Sequence, residues 1–362
     1  MTYVCKNIRY FAITIDYSGF FVCSGNICEI LLKIETQAPF RASNLYIHMS
    51  SPHLHQNTKK LHIQEVVTRD GFQAEKAFIP TEEKIALINR LSRAGYTKIE
   101  VTSFTSPKAI PMLADAEAVM KGIDRFPGVE YTVLIPNLKG AERAVYVGVD
   151  EFNLVMSVSE AHNLANLKMG REDSFKALSS VIELAHQQKI PVNISLSTSF
   201  GCPMTGITSL ADLMHWVDRF AAAGVRGITI CDTTGMANPA QVQTVCQAVQ
   251  NKYPRLQWTL HFHNTRGMGI ANALSAVNSG IDRFDSSLGG LGGCPYAPGA
   301  TGNICTEELV HMFDLMGFDT HMDIDTLLAC SQDLQTLIGR TLPSQLLMAG
   351  KVDNLHIAPC QP

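Results

Sequence analysis

The chain has ten cysteines but no Cys-x-x-Cys pair. They are scattered at positions 5, 23, 28, 202, 231, 246, 294, 305, 330 and 360. Neither a disulfide scaffold nor a structural zinc site has the spacing it needs. Such usage fits a reducing cytoplasm, with most thiols acting as small buried hydrophobes. No run of about 18 apolar residues occurs, which argues against a membrane span. No basic stripe exists either. With 29 Lys and Arg against 33 Asp and Glu, the formal net charge is −4, a poor match for nucleic-acid phosphates. Asp16 interrupts the most apolar early stretch and no small-residue cleavage site follows it, so a secretory signal fits badly.

What is present suits a globular protein. At 362 residues and 46% hydrophobic, the chain can build one large core or two modest ones. Residues 1–50 stand apart. They hold Tyr3, Tyr10, Phe11, Tyr17, Phe20 and Phe21 with no repeating pattern, and Met49 then opens a polar segment. Met49 is the expected start, with residues 1–48 an upstream translation. An intact mass from the native locus that included Met1–His48 would refute this. The expected organisation is an atypical extension over 1–50, a main globular domain over 60–340 and a tail over 341–362.

From His62 onward, short β-branched runs alternate with amphipathic helical stretches. Strands are expected over 62–68, 97–102, 130–135, 151–156, 191–197, 227–231, 257–263 and 282–286. Between them, Ile85, Ile88 and Leu91, or Leu210, Leu213, Val217 and Phe220, share one helix face. Thr81 is a candidate helix cap, and Asn238-Pro239 reads as a cap followed by a first-turn proline. One joint recurs. Gly95, Gly148, Gly224 and Gly280 each sit just before a β-rich run, where glycine can end a helix in the left-handed conformation. Repeated β/α units over roughly 250 residues are the size of a closed (β/α)8 TIM barrel. An open doubly wound sheet would usually show a Gly-rich turn after the first strand; here that place reads Arg69-Asp70-Gly71.

In such a barrel the chemistry sits at the C-terminal strand ends, and the unusual polar residues fall there. His261 and His263 are two apart on one strand, so both face the same way. Two imidazoles at that spacing can share a metal ion. Asp70, from the opposite wall, can add a carboxylate oxygen and Asn303 a carbonyl oxygen. That set suits magnesium or manganese better than a closed tetrahedral zinc site. A hydrogen-bonded histidine pair is the plainer alternative.

Arg69 adjoins the proposed ligand Asp70. It is either an ordinary ion-paired arginine or a group that stabilises an oxyanion. Glu100 and Asp232 are expected to hold Arg69 or the ligands in place, a plain ion pair inside the barrel being the alternative for each. Gln73 and Ser103, at the ends of the first two strands, join Arg69 as candidate substrate contacts. The segment GGLGGCPYAPGATGN, 289–303, has six glycines in fifteen residues, so it can bring backbone close to a ligand. Its Cys294 can carry a proton once the loop closes. A phosphate cradle would need a Gly-Lys-Ser/Thr ending, which is missing. Cys202, in FGCPMTG, is read as a wall residue of the mouth.

At these residues the chain resembles the 3-hydroxy-3-methylglutaryl-CoA lyase family. SSLGGLGGCPYAPGATGNICTEEL (286–309) looks like that family's signature loop, cysteine included. EVVTRDGFQAE (65–75), IEVTSFTSPKAIPMLADA (99–116), PNLKG (136–140), FGCP (200–203), DTTGMANP (232–239) and HFHNTRGMGIAN (261–272) match in order. The resemblance covers roughly residues 62–340. It implies a divalent-metal-dependent barrel that cleaves 3-hydroxy-3-methylglutaryl-CoA to acetoacetate and acetyl-CoA, in leucine breakdown and ketone-body formation. It implies Mg2+ or Mn2+ on Asp70, His261, His263 and Asn303, and catalytic roles for Arg69 and Cys294, with Glu100 and Asp232 in the site. An acyl-CoA partner and a homodimer are expected, with Asn137 and Lys139 as candidates for contacting coenzyme A, and with no nucleic-acid or membrane partner.

Two stretches depart from the family pattern. Val67-Thr68 stand where Gly-Pro is usual, and Phe72-Gln73-Ala74 where Leu-Gln-Asn is usual; SVSEAHNLANLKM (157–169) also differs. Both are expected where substrate meets the barrel mouth, so a related 3-hydroxy-3-alkylglutaryl-CoA is an alternative substrate. Rival activities are a Claisen-type synthase of the same superfamily, an aldolase acting on a free 4-hydroxy-2-oxo acid, and a catalytically dead barrel kept as a binding partner. The synthases generally carry a C-terminal accessory domain and lack the Gly-Gly-Cys-Pro-Tyr loop.

Overall fold

The computed structural model describes residues 59–293 and 302–355, together with the backbone of two short strands at 14–15 and 21–22. The chain divides into two compact units, Met1–Pro52 and His53–Pro362. In the first, Thr14–Ile15 pairs antiparallel with Phe21–Val22; the rest of the 1–50 extension lies outside the described residues.

The second unit is a closed barrel of eight parallel strands. In chain order these are β1 (His62–Glu65), β2 (Lys98–Ser103), β3 (Glu130–Ile135), β4 (Glu151–Ser157), β5 (Val192–Ser197), β6 (Gly227–Asp232), β7 (Gln257–Phe262) and β8 (Arg283–Ser286). Each pairs with the next, and β8 closes onto β1 through Arg283↔His62 to Ser286↔Glu65. Seven strands match the sequence reading to within a residue at each end. The first ends earlier than expected, at Glu65 rather than 68, because the chain then winds into a π-helical turn, Val67–Gly71.

Alternation along the strands explains the core. Ile63, Val133, Phe152, Leu154, Ile194, Leu196, Ile228, Ile230, Leu260, Phe262 and Phe284 are all buried and join the helices in one hydrophobic cluster. The alternate residues Gln64, Glu100, Thr132, Asn153, Asn193, Thr229 and Asp285 line an internal cavity. The interior of this barrel is therefore polar, and the apolar core lies between strands and helices. Lys98 pairs with Glu151 at 2.5 Å and Glu130 at 3.0 Å, and Arg226 with Glu130 at 2.6 Å; these charges sit at the N-terminal strand ends, away from the mouth.

Helix α1 (Thr81–Leu91) buries Leu87, Ile88 and Leu91. Thr81 does not cap it. Pro80 holds that position, and the Thr81 hydroxyl instead donates to Asp115 Oδ2 at 2.8 Å. Helix α6 (Leu210–Ala222) buries Leu213, Trp216, Val217 and Phe220, whereas Leu210, in its first turn, is exposed. Asn238 caps α7 (Pro239–Lys252) as expected, accepting from the amide of Gln241. All four joint glycines have positive φ. At Gly95 (φ +104) the need is also steric, since a Cβ would lie 2.0 Å from the His321 carbonyl oxygen. Among the described residues, no helix is long and apolar enough to cross a membrane.

Candidate metal and catalytic site

The site is built where β1, β7 and β8 end. After Glu65 the chain turns so that the amides of Arg69, Asp70 and Gly71 all donate to the Val66 carbonyl. Single π turns of this kind are frequent at functional sites. This one sets Arg69 and Asp70 side by side, with Nη1 2.5 Å from Asp70 Oδ1. His261, on β7, and His263, one residue past its end, bring their Nε2 atoms to 3.1 Å from each other, at 4.0 and 3.8 Å from Asp70 Oδ2. These three side chains form a cluster able to hold a metal ion. Asp70 does not come from the opposite wall. Closure of β8 onto β1 leaves a single strand, β8, between Asp70 and the histidines.

Asn303 arrives by backbone pairing. His263 bridges Asn303 antiparallel, Asn264 N donates to Gly302 O and Ile304 N to Phe262 O, each at 3.0 Å. Its Nδ2 then donates to Asp70 Oδ2 at 2.7 Å and to Leu291 O at 3.1 Å. Gly292 (φ +126) leaves room for this, because a Cβ there would meet Nδ2 at 2.5 Å.

Two buried atoms of the cluster, Asn303 Oδ1 and His263 Nδ1, find no hydrogen-bond partner among the described residues. An orphaned carbonyl oxygen beside a carboxylate and two imidazole nitrogens is a donor set that fits a divalent cation. The ring nitrogens point the same way. Asp285, aligned with His261 in the β7–β8 register, lies with Oδ2 3.2 Å from His261 Nδ1. A proton on Nδ1 leaves Nε2 as a lone pair facing the cluster.

The charges are strongly biased. Burial pushes the Asp70 carboxyl up, but Arg69, His261 and His263 outweigh it and hold Asp70 well below the usual carboxylate range. Burial pulls His261 down, while Asp285 and Asp70 more than offset it, so its pKa is raised. Burial and then the neighbouring His261 bring His263 down to about 4. The neutral form of His263, the one that can ligate, is thus the resting form at neutral pH.

Arg69 is held on its other side by Glu100, Nε to Oε2 at 2.5 Å. Glu100 Oε1 in turn accepts from Asn153 Nδ2 at 2.6 Å, and Asn153 Oδ1 accepts from Asn193 and Ser195 at 3.0 and 2.9 Å. Burial raises the Glu100 pKa against Arg69 and Asn153. The polar barrel interior thus ends in the guanidinium. The expected link from Glu100 to Arg69 is present; the sequence reading missed Asn153 and Asn193, and did not assign Asp285 its place behind His261.

Asp232 is placed differently. Its Oδ1 accepts from the amides of Met236 and Ala237 at 2.8 and 3.1 Å, so it orders the loop before α7 rather than gripping Arg69 or a ligand. Its Oδ2 is buried without a partner among the described residues. Ser103 is buried and shares its hydroxyl with Thr105 at 2.8 Å. Gln73 is exposed, just past the π turn. Asn137 caps helix α3 (Leu138–Val147), accepting from Gly140 N at 3.0 Å, and Lys139 is exposed. Cys202 is buried and accepts from Ser159 Oγ at 3.1 Å. Cys294 lies outside the described residues, between Gly293 and Gly302. The departures are divided between inward and outward side chains. Val67 and Thr68 are buried, with Thr68 Oγ1 donating to the Glu100 carbonyl at 3.2 Å, and Ser157, His162 and Asn163 are buried too.

A closed parallel (β/α)8 barrel with such a cluster at the C-terminal strand ends has the architecture of a barrel enzyme whose mouth could hold a metal ion. The HMGL-like family model matches residues 60–334. The chain is 43% identical to the hydroxymethylglutaryl-CoA lyase YngG of Bacillus subtilis, over 81% of this chain and 98% of that protein. It is 37% identical to the cytoplasmic 3-hydroxy-3-methylglutaryl-CoA lyase of Rattus norvegicus, over 79% and 84%. A solved structure of an HMG-CoA lyase from Acinetobacter baumannii, in complex with coenzyme A and 3-methylmalate, superposes with TM-score 0.80 at 48% identity, covering 83% of this chain and 98% of that one. The chain belongs to the hydroxymethylglutaryl-CoA lyase family, a family of carbon–carbon lyases.

Proposed function

We propose that this chain cleaves 3-hydroxy-3-methylglutaryl-CoA to acetoacetate and acetyl-CoA, with Mg2+ or Mn2+ held by Asp70, His261, His263 and Asn303. The observation that carries the reading is the convergence of two histidine Nε2 atoms 3.1 Å apart on a carboxylate oxygen 3.8 and 4.0 Å away. When bound there, the cation supplies Lewis acidity that lowers the pKa of the substrate's tertiary hydroxyl. Asp70 or His261 is proposed to take the proton of that hydroxyl. Loss of the hydroxyl proton forms the ketone of acetoacetate as the C2–C3 bond breaks, and the electron pair passes into the thioester enolate.

Arg69, fixed between Glu100 and Asp70, is the cation available to that enolate oxygen. Cys294 is proposed to return the proton to C2, giving acetyl-CoA. Asp232 orders the adjoining loop, and Gln73 and Ser103 remain proposed substrate contacts. We further propose the catalytic domain as 60–340, apart from the 1–50 extension and the 341–362 tail, and a homodimer, whose mass light scattering reads directly. A cytoplasmic location is supported by five described cysteines that are all free and buried.

The test supplies purified full-length protein with Mg2+ and 3-hydroxy-3-methylglutaryl-CoA and follows acetoacetate. Product that disappears with EDTA, and falls by orders of magnitude in Cys294→Ala, supports the reading. Acetyl-CoA consumed together with a 2-oxo acid, and no acetoacetate, would replace it with a synthase.

A further inference from the structure

One fully buried carboxylate lies outside the catalytic set. Glu65, the last residue of β1, is 0% exposed and accepts five hydrogen bonds from four chain segments. Oε1 takes the amides of Val66, Val67 and Leu288 at 3.0, 2.8 and 3.0 Å. Oε2 takes the hydroxyls of Tyr96 at 2.5 Å and Thr306 at 3.2 Å. Val66 and Val67 open the π turn that carries Arg69 and Asp70. Leu288 begins the root of the glycine-rich loop, and Thr306 follows Asn303 by three residues. The next amide of the root, Gly289 N, is taken by another buried carboxylate, Glu307, at 2.9 Å, so the root is gripped from two sides. Burial pushes Glu65 up to about 7 while its donors pull it back. All five of these hydrogen bonds are donated to it, and they favour the ionised form against that burial.

We propose that Glu65 is a positioning residue whose carboxylate locks the Arg69-Asp70 turn to the root of the glycine-rich loop, and so sets the Asp70–Asn303 spacing. This rests on the reading that Asp70 and Asn303 grip a cation. The reason is geometric. Asp70 and Asn303 are 233 residues apart in sequence and meet at 2.7 Å, on segments with little regular structure of their own. A single anion accepting from both segments fixes their separation. A neutral amide holds them less firmly: with its oxygen on the three backbone amides, its NH2 must donate to the two hydroxyls, which then have to turn their own protons elsewhere, and the charge that strengthened every bond is gone.

The experiment compares Mn2+ binding to full-length wild type and Glu65→Gln by calorimetry. The expected result is a loss of about tenfold or more in affinity, the size seen when a partner behind a metal ligand is removed, with kcat partly restored by excess Mn2+. A Glu65→Gln protein that melts earlier but binds Mn2+ as tightly as wild type would overturn the proposal. Should Glu65→Gln not fold, Thr306→Val removes one donor and keeps the anion. A roughly twofold to threefold weaker Mn2+ affinity is then expected, and an unchanged one overturns the lock. If wild type itself binds no Mn2+, the metal reading fails separately. Amide exchange then decides: faster exchange in 66–71 and 287–292 together in the variant supports the lock, and unchanged exchange in both overturns it.

Discussion

Asp285 stands directly behind His261, its Oδ2 3.2 Å from Nδ1, on the neighbouring strand and in register with it. A carboxylate there does two things. It fixes the tautomer that leaves Nε2 free, and it makes that nitrogen more basic. Asp285→Ala should therefore weaken Mn2+ binding by about 10–100-fold, while Asp285→Asn, whose amide oxygen still accepts from Nδ1, should lose much less. Metal titration of the two variants checks the difference. Equal losses would show that charge, and not ring orientation, is what His261 takes from Asp285.

Arg69 spans two carboxylates at 2.5 Å each, Glu100 through Nε and Asp70 through Nη1, a geometry that a lysine ammonium cannot copy. Arg69→Lys should lower kcat by about 10²–10³-fold, the range for removing one donor to a developing anion, with KM for the acyl-CoA changed little. Steady-state kinetics at saturating metal separates the outcomes. A loss confined to KM would mean that Arg69 binds the ground state instead.

Much of this arrangement could be read from the residues, and the misses share a cause. The barrel was legible because its strands are β-branched runs introduced by glycine joints, both local signals. The His-x-His pair was legible for the same reason: strand periodicity alone puts both rings on one side. Placing Asp70 on the opposite wall was wrong because strand order is not local; only the β8–β1 pairing brings the first turn to within one strand of β7. The early end of β1 was hidden in Glu65, which reads as an ordinary alternating polar residue, although its side chain takes the amides of Val66 and Val67. Asn153 was hidden likewise. It sits inside an apolar run, and nothing in its neighbours says that it faces a polar barrel interior and holds Glu100.

Two of the joint glycines offer a matched test of stability. At Gly148 (φ +74) a Cβ would meet nothing within 4 Å, whereas at Gly95 (φ +104) it would strike the His321 carbonyl oxygen at 2.0 Å. Gly148→Ala carries only the left-handed backbone cost, about 1 kcal/mol. Gly95→Ala adds a collision with backbone and should lose several-fold more, about 3 kcal/mol or above. Chemical denaturation of both proteins reads the contrast, and equal losses would show that the 320–322 segment yields without cost.

Asp232 supplies a pH signature of the metal-free protein. Burial pushes its carboxyl up to about 6, against the amides of Met236 and Ala237 and the neighbouring His261, while the unfolded chain has the ordinary value near 3.9. Below about pH 3.9 both states are neutral at this group, so its contribution to stability is complete. As pH rises, the unfolded state ionises first, and the contribution drains away until the folded carboxyl also ionises near pH 6. A shift of about two units corresponds to about 3 kcal/mol. Asp232→Asn keeps an oxygen for the two loop amides and has no proton to lose. Relative to that variant, wild type without metal should lose about 3 kcal/mol of unfolding free energy between pH 4 and 6, then run parallel to it. Parallel curves across the whole range would place the Asp232 carboxyl at its ordinary pKa, and would mean that its buried Oδ2, unpartnered among the described residues, is solvated in the folded protein.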